Sequence, residues 1–448
     1  MRHLNLKGKH IYFIGIGGVS MSGLAMMLHH MGYHLSGSDR EPNQETYKLT
    51  QLGIPIFYGQ RAENISDTTD LVIYTAAIHA DNPELKTARD KGIECWGRAK
   101  LLGELILHYP YSVCVAGTHG KTTTTSMLTH LLRDYDPTVT VGAYLAAIGG
   151  NFHLGSDHYF LVESCEYNDS FFQFNPYLGV ILNVEFDHPD HFKDLHHVLQ
   201  SFNTFAKNAR DYLVINHDIH GYEQIIQGVT AKVVSFGQTG GDHVYQILDN
   251  HTFVLDGQTL TLPVAGHHNI QNAVASILTA KLLGIPSPDF TGYVNPKRRL
   301  EYKGETAKGA IVLDDYAHHP TEITVALAAV RTSYPQHHIY CLFQPHTYSR
   351  TAGLLHEFSQ AFTDADTVLL LNIYAAREID TGEVHSRDLL SRLAPHQNAV
   401  YFDDNQDLLM YLEKNLDEKS VLITMGATQV YLLGEAMLST ELSTLSTI

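Results

Sequence analysis

The stretch that most constrains this chain is Gly117-Thr118-His119-Gly120-Lys121-Thr122-Thr123. It follows a short apolar run, Val113 to Ala116, and opens an amphipathic segment from Thr122 to Leu132. A strand that turns through glycines straight into a helix belongs to a parallel α/β sheet, because the helix returns the chain before the next parallel strand. The helix start presents unpaired N–H groups and the positive end of the helix dipole, which together suit a phosphate. Lys121 is then expected along the β- and γ-phosphates of a nucleotide, with the Thr122 hydroxyl on Mg²⁺. The common phosphate loop has a glycine where this chain has Val115, so the loop is shortened. A turn that only caps a helix is the alternative, and the flanking strand–helix pattern opposes it.

A similar turn occurs earlier. The apolar run His10–Ile14 leads into Gly15-Ile16-Gly17-Gly18-Val19-Ser20-Met21-Ser22-Gly23, a helix to Met31, a strand from Tyr33 to Ser36, and then Gly37-Ser38-Asp39. This βαβ unit again places a helix N-terminus over an anion. Ser20 stands where the dinucleotide fingerprint has its third glycine, which weakens a nicotinamide reading. Asp39 follows the second strand, where an acidic residue commonly takes a ribose hydroxyl. The plain alternative is that these glycines serve only tight packing. Alternation continues through Leu71–Thr75 and Ile93–Cys95 to a helix ending near Leu107. Residues 1–108 read as a doubly wound domain for a nucleotide-like diphosphate.

Residues 109–294 read as a central domain. The strand His158–Val162 ends in Glu163-Ser164-Cys165-Glu166-Tyr167, and carboxylates at a strand's C-terminal end face the ligand crevice of an open α/β sheet. Glu163 is therefore a candidate second Mg²⁺ ligand beside Thr122. The strand Tyr177–Leu182 ends in Asn183-Val184-Glu185-Phe186-Asp187-His188-Pro189-Asp190-His191, a cluster suited either to a second metal or to ordinary turn chemistry. Val233 to Pro263 reads as antiparallel strands. Asn269 and Asn272 share one helical face and suit either capping or an adenine or ribose.

Residues 295–448 form a third α/β segment after the Pro286–Pro296 linker. Its first strand, Ala310–Leu313, ends in Asp314-Asp315-Tyr316-Ala317-His318-His319-Pro320. Another strand, Ile339–Phe343, leads into Gln344-Pro345-His346-Thr347-Tyr348-Ser349-Arg350. His346 and Arg350 lie four apart and share a face if the helix begins there, with the Arg fork suited to a carboxylate. The tail Ser439–Ile448 is Ser/Thr-rich and reads as frayed.

Composition bounds the partners. A chain of 448 residues exceeds one core and suggests about three domains. Its net charge of −18 argues against general nucleic-acid or anionic-membrane binding. No apolar run approaches the ~20 residues of a membrane span, no signal peptide is visible, and four scattered cysteines read as reduced cytoplasmic thiols. Cys165 reads either as a redox-sensitive thiol or as a buried, inert one, with the second favoured. Most of the 29 histidines are expected at the surface.

The set of motifs resembles the Mur ligase family of bacterial cell-wall (peptidoglycan) synthesis. The matching pieces are Gly15–Gly23, Gly117–Thr125, Glu163-x-x-Glu166-Tyr167, Asp187–Asp190, His268-Asn269-x-x-Asn272, Arg298-Arg299, Asp314–Pro320 and Gln344–Arg350, and they span the chain from Gly15 to about Gly426. The family's commoner patterns differ at Ser164-Cys165 and at Thr428-Gln429. The resemblance implies three domains: a Rossmann-like UDP-binding domain, a central ATPase domain with a mostly parallel sheet plus a small antiparallel sheet, and a Rossmann-like C-terminal domain that binds an amino acid. It implies ATP-dependent joining of L-alanine to the lactyl carboxylate of UDP-N-acetylmuramate through an acyl phosphate.

Carried over by residue, Gly15, Gly17, Gly18, Ser20, Met21, Ser22, Asp39 and Glu166 would hold the UDP-sugar. Gly117, Thr118, His119, Gly120, Lys121, Thr122 and Thr123 would hold the ATP phosphates, and His268, Asn269, Asn272 and Arg299 the rest of ATP. Thr122, Glu163 and His188 would ligate two Mg²⁺ ions, and Lys121, Glu163, His188 and Asp315 would be catalytic. His346, Arg350 and Arg377 would take the alanine. The partners implied are small molecules, with the enzyme a cytoplasmic monomer or homodimer. The rivals are a peptide-recycling ligase for the same sugar nucleotide, an NAD-dependent oxidoreductase, and a nucleotide-sensing module without chemistry.

Overall fold

The computed structural model describes residues 8–75, 77–285, 288–376, 378–393 and 398–438; Arg377 and the tail Ser439–Ile448 lie outside them. The chain packs into two compact units. One comprises Met1–Val184, Leu199–Tyr245 and Ala273–Phe290, and the other Glu185–Val198, Gln246–Asn272 and Thr291–Ile448.

The first unit holds two sheets. In the first, β1 (His10–Ile14), β2 (His34–Asp39), β3 (Ile56–Tyr58), β4 (Leu71–Tyr74) and β5 (Glu94–Gly97) run in the order β3-β2-β1-β4-β5, and every pair is parallel. Helices cover such a sheet on both faces, which is why β1 and β4 are near-continuous apolar runs. Tyr12 is fully buried within β1, and its hydroxyl donates to Glu84 at 2.9 Å, as a buried polar group requires. The order reverses between β1 and β4, and the turn Gly15–Gly18 leaves β1 at that switch point, where ligands of doubly wound sheets bind.

The second sheet is built around β6 (Tyr111–Ala116). Added to it are β7 (Pro137–Leu145), β8 (Gly150–His153), β9 (Ser156–Glu163), β10 (Leu178–Ile181), β11 (Tyr212–Asn216), β12 (Lys232–Gly237) and β13 (His243–Ile247). Their order is β13-β12-β11-β10-β6-β9-β7-β8, parallel except for β7 with β8. The antiparallel reading of Val233–Pro263 is thus corrected. β12 pairs in parallel with β11, because the helix Tyr222–Ile226 returns the chain between them, and it also pairs in parallel with β13. Within that stretch β14 (Thr252–Leu255) and β15 (Gln258–Thr261), which belong to the second unit, do pair as an antiparallel hairpin. Its turn is Asp256-Gly257, with positive φ at both residues, the chemistry of a tight hairpin.

The second unit's main sheet contains β16 (Glu301–Glu305), β17 (Ile311–Asp315), β18 (His338–Phe343), β19 (Thr367–Leu370), β20 (Asn398–Tyr401) and β21 (Ser420–Met425). The order is β16-β17-β21-β18-β19-β20, with only β16 antiparallel. Its two faces are sealed by separate cores, one around Phe343, Phe358 and Phe362, the other around Leu342, Leu369 and Leu422. The architecture is three α/β domains with mostly parallel sheets, as the pattern of alternating strands and helices requires.

Candidate active site

In the first unit, both glycine turns sit at the carboxyl ends of their sheets. The second turn joins β6 to the helix Lys121–Leu131. Gly117 has φ 147°, and a Cβ there would stand 3.1 Å from Leu182 Cβ, so only glycine leaves the strand this way. Lys121 is the first helical residue. Its ammonium donates to Gly117 O, to Thr118 O at 3.0 Å, and to Glu166 at 2.9 Å. Burial would lower the Lys121 pKa, but the Glu166 carboxylate raises it well above the ordinary range, so the ammonium stays charged. Next to it the Thr122 hydroxyl donates to Glu163 Oε1 at 2.9 Å, and Gly142 N donates to Glu163 Oε2 at 2.6 Å.

Hydroxyl and carboxylate oxygens are the hard donors that Mg²⁺ prefers, so the Thr122–Glu163 pair fits that ion. The expectation for these two residues rested on strand ends alone, and β6 and β9 are indeed neighbours, with Val115 level with Glu163. Glu166, expected at the sugar nucleotide, carries the ion pair to Lys121. The exposed Cys165 corrects the reading of a buried thiol. It lies just past the end of β9, after the buried Ser164. Enclosure by the surrounding chain, then Glu166, still pushes that thiol up to about 11, which leaves it protonated at neutral pH.

Asn183 was not singled out in the sequence. It follows β10, the strand beside β6, and its amide grips the second turn at two points. His119 N donates to Asn183 Oδ1 at 2.8 Å, and Asn183 Nδ2 donates to His119 O at 3.1 Å. Thr118 N also donates to the Asn183 carbonyl at 3.2 Å. The available signal was its place at a strand's carboxyl end, the same argument that singled out Glu163.

The first turn is built differently. Gly17 N donates to Asp39 Oδ2 at 2.7 Å, and a Cβ on Gly17 would stand 2.8 Å from that same oxygen. Asp39 therefore reaches the turn because residue 17 has no side chain. Ser22 is buried and its hydroxyl donates to Val19 O at 3.0 Å, inside the helix Val19–His30; Met21 is buried on the same helix. Ser20 accepts a 3.0 Å hydrogen bond from Arg98 Nη1. Arg98, too, was missed from the sequence.

The second unit gathers another set. Asp187 pairs with Arg350 through Nε at 2.8 Å and Nη2 at 3.3 Å, both side chains being buried. Burial alone would raise the Asp187 pKa, yet Arg350 and then His188 hold it far below the carboxylate range. Arg350 Nη2 also reaches His188 Nδ1 at 3.5 Å, and Nη1 donates to His346 Nδ1 at 3.2 Å. His346 and Arg350 do meet, but not on one helical face. The helix starts at Tyr348, and His346 lies before it in a bridge with Tyr374. Thr347, at φ 67°, breaks the helical path between them.

Asp315 is buried and accepts from Leu300 N and Ala317 N, both at 2.7 Å; burial pushes its pKa up to about 6. His268 is driven down to about 4 by burial and by Arg299, and its Nδ1 has no hydrogen-bond partner among the described residues. Arg299 lies 5.5 Å from the Tyr316 ring and 3.9 Å from Glu322. Asn269, buried, donates to Ala265 O at 2.7 Å, and Asn272 is buried one turn along. His318 is likewise pushed down to about 4 by burial, so it is neutral at pH 7. Buried His319 and half-buried His268 and His318 are exceptions to the surface expectation. His188 belongs to this unit, whereas Thr122 and Glu163 belong to the first.

Comparison with known proteins covers nearly the whole chain. Residues 10–110 match the Mur ligase family catalytic domain, 115–280 the Mur ligase middle domain, and 298–428 the Mur ligase glutamate ligase domain. The UDP-N-acetylmuramate–L-alanine ligase of Acetivibrio thermocellus is 44% identical over 96% of this chain and 96% of its own. That of Lachnospira eligens is 42% identical over 96% of this chain and 98% of its own. Among solved structures, the UDP-N-acetylmuramate–alanine ligase of Thermotoga maritima matches with a TM-score of 0.75 at 27% identity, covering 96% of this chain and 98% of that one. A murein peptide ligase from Psychrobacter arcticus shares the fold, with a TM-score of 0.70 at 21% identity, covering 98% of this chain and 100% of that one.

Proposed function

We propose, from the premise that this chain belongs to the Mur ligase family, that it joins L-alanine to the lactyl carboxylate of UDP-N-acetylmuramate at the expense of ATP. The observation that carries this reading is the second turn, where Lys121 and the Thr122–Glu163 pair stand side by side at a helix N-terminus. A free carboxylate is a poor electrophile, so it first attacks the γ-phosphorus of ATP and becomes an acyl phosphate as ADP leaves. The alanine amine then attacks the acyl carbon, phosphate departs, and an amide remains once the amine has lost its proton. Lys121 and the N-terminus of the helix it opens stabilise charge on the transferring phosphoryl group, which is mainly positioning and electrostatics. Thr122 and Glu163 would hold one Mg²⁺, with His188 assigned to a second; the ions neutralise phosphate charge when bound.

The remaining assignments follow the family resemblance. The UDP-sugar goes to Gly15, Gly17, Gly18, Ser20, Met21, Ser22, Asp39 and Glu166. The adenosine goes to His268, Asn269, Asn272 and Arg299, with Asp315 beside the phosphates or ribose. Alanine goes to His346 and Arg350. The three domains are assigned to residues 1–108, 109–294 and 295–448, close to the three matched segments. ATP and a UDP-sugar as substrates support a cytoplasmic site of action, and no helix among the described residues is long and apolar enough to cross a membrane. The recycling alternative is disfavoured because the relatives named for alanine addition reach 44% identity, against 21% for the murein peptide ligase structure. Three successive Mur ligase domains disfavour an NAD-dependent oxidoreductase.

Measuring ADP release with each substrate omitted tests the reading. Release is expected only with ATP, UDP-N-acetylmuramate and alanine together. Equal rates without the sugar nucleotide sink the ligase assignment, and a preference for a tripeptide over alanine supports the recycling enzyme.

A further inference from the structure

Arg98 is a cation placed where nothing in the fold favours it. It is the first residue of the helix Arg98–His108, whose unpaired N–H groups make a positive charge unfavourable, and no acidic residue stands in that first turn. Arg98 is half-buried, and that burial draws its pKa below the ordinary value. Among the described residues Arg98 forms no ion pair; its side-chain hydrogen bond is the one from Nη1 to Ser20 Oγ at 3.0 Å. Taking even part of a charge out of water costs free energy, which an opposite charge offsets. The guanidinium has five N–H donors in a planar fork, so one bond to a hydroxyl leaves most of them for a ligand.

Its position says where that ligand lies. Ser20 is the second residue of the helix Val19–His30, immediately past the first glycine turn. The guanidinium therefore lies by the first turn.

We propose that Arg98 is an oxyanion-binding residue of the first turn, supplying there the fixed positive charge that Lys121 supplies at the second. This rests on the reading of the first turn as the sugar-nucleotide cradle. Two oxyanions of UDP-N-acetylmuramate have the chemistry to dock on the fork: a phosphate of the diphosphate, and the lactyl carboxylate that reacts.

The test uses the full-length protein and its Arg98→Gln and Arg98→Lys variants. Affinities for UDP-N-acetylmuramate, for UDP-N-acetylglucosamine, which lacks the lactyl group, and for ATP are measured by calorimetry, with the ligand-free melting temperature beside them. Arg98→Gln is expected to weaken UDP-N-acetylmuramate binding by on the order of 10- to 100-fold, the size of lost charge-assisted hydrogen bonds. It should leave ATP affinity intact and not lower the melting temperature, because it removes a partly desolvated charge. Arg98→Lys, charged but without the fork, should fall between. Equal losses for both sugar nucleotides assign the diphosphate, and a loss confined to UDP-N-acetylmuramate assigns the carboxylate. Unchanged UDP-N-acetylmuramate affinity in Arg98→Gln, or a lowered melting temperature with ATP binding lost as well, overturns the proposal. If the unaltered protein binds neither sugar nucleotide, the sugar-nucleotide reading fails and the proposal falls with it.

Discussion

The two glycine turns of the first unit share a plan and differ in how they manage charge. Both leave a central parallel strand, β1 or β6, and both open a helix. At the second turn the cation belongs to the helix itself, Lys121, and the group that fixes the turn's backbone is a neutral amide, Asn183. At the first turn the fixing group is a carboxylate, Asp39 on Gly17 N, and the cation arrives from another helix as Arg98. A turn meant for a triphosphate gains from keeping negative side chains off its N–H groups, because each would oppose the incoming charge. On the proposed assignment, a turn for a less charged diphosphate tolerates the Asp39 carboxylate when the Arg98 guanidinium offsets it.

The largest effect that can break this contrast is at Lys121. Lys121→Ala is expected to lower turnover by on the order of 10²-fold or more, as for a lost transition-state charge, read as phosphate release under saturating substrates. Near-normal turnover would mean that the second turn is not catalytic. A smaller effect is expected when the second turn is made to resemble the first. Asn183→Asp puts a carboxylate against His119 N, and the KM for ATP should rise by roughly 10-fold, with the KM values for the sugar nucleotide and alanine unmoved. Asn183→Ala should raise it less; the reverse ranking would show that the clamp matters and its neutrality does not. The smallest change makes the first turn resemble the second. Asp39→Asn keeps an acceptor for Gly17 N and should weaken UDP-N-acetylmuramate binding by only about 3- to 10-fold, as a charged hydrogen bond to a hydroxyl becomes neutral. Tighter binding would show that Asp39 holds no ribose hydroxyl and merely closes the turn.

Much of this arrangement was legible along the chain, because the signals were local. Apolar runs ending in glycine, then helical periodicity, placed β1, β6 and their turns. The rule that carboxylates at strand ends face the crevice picked out Glu163, and it lies on Thr122. Where reading failed, the deciding partner was remote or the geometry left its regular period. The helical face for His346 and Arg350 failed because Thr347 takes a left-handed φ, yet the two side chains meet by another route. The antiparallel reading of Val233–Pro263 failed at β12 because alternation of polar and apolar residues does not reveal a strand's direction. Asp187, read only as part of a cluster, proved to hold the Arg350 fork across 163 positions of sequence.

The sequence by itself determined the strand–turn–helix units and the family, because glycine, lysine and threonine at fixed short spacing leave few backbone paths. Tertiary structure alone decided the charge partners. Glu166 for Lys121, Asn183 for His119 and Arg98 for Ser20 come from separate elements, 45, 64 and 78 positions apart. Electrostatic complementarity depends on distance in space, and only the order of strands in a sheet converts chain position into that distance.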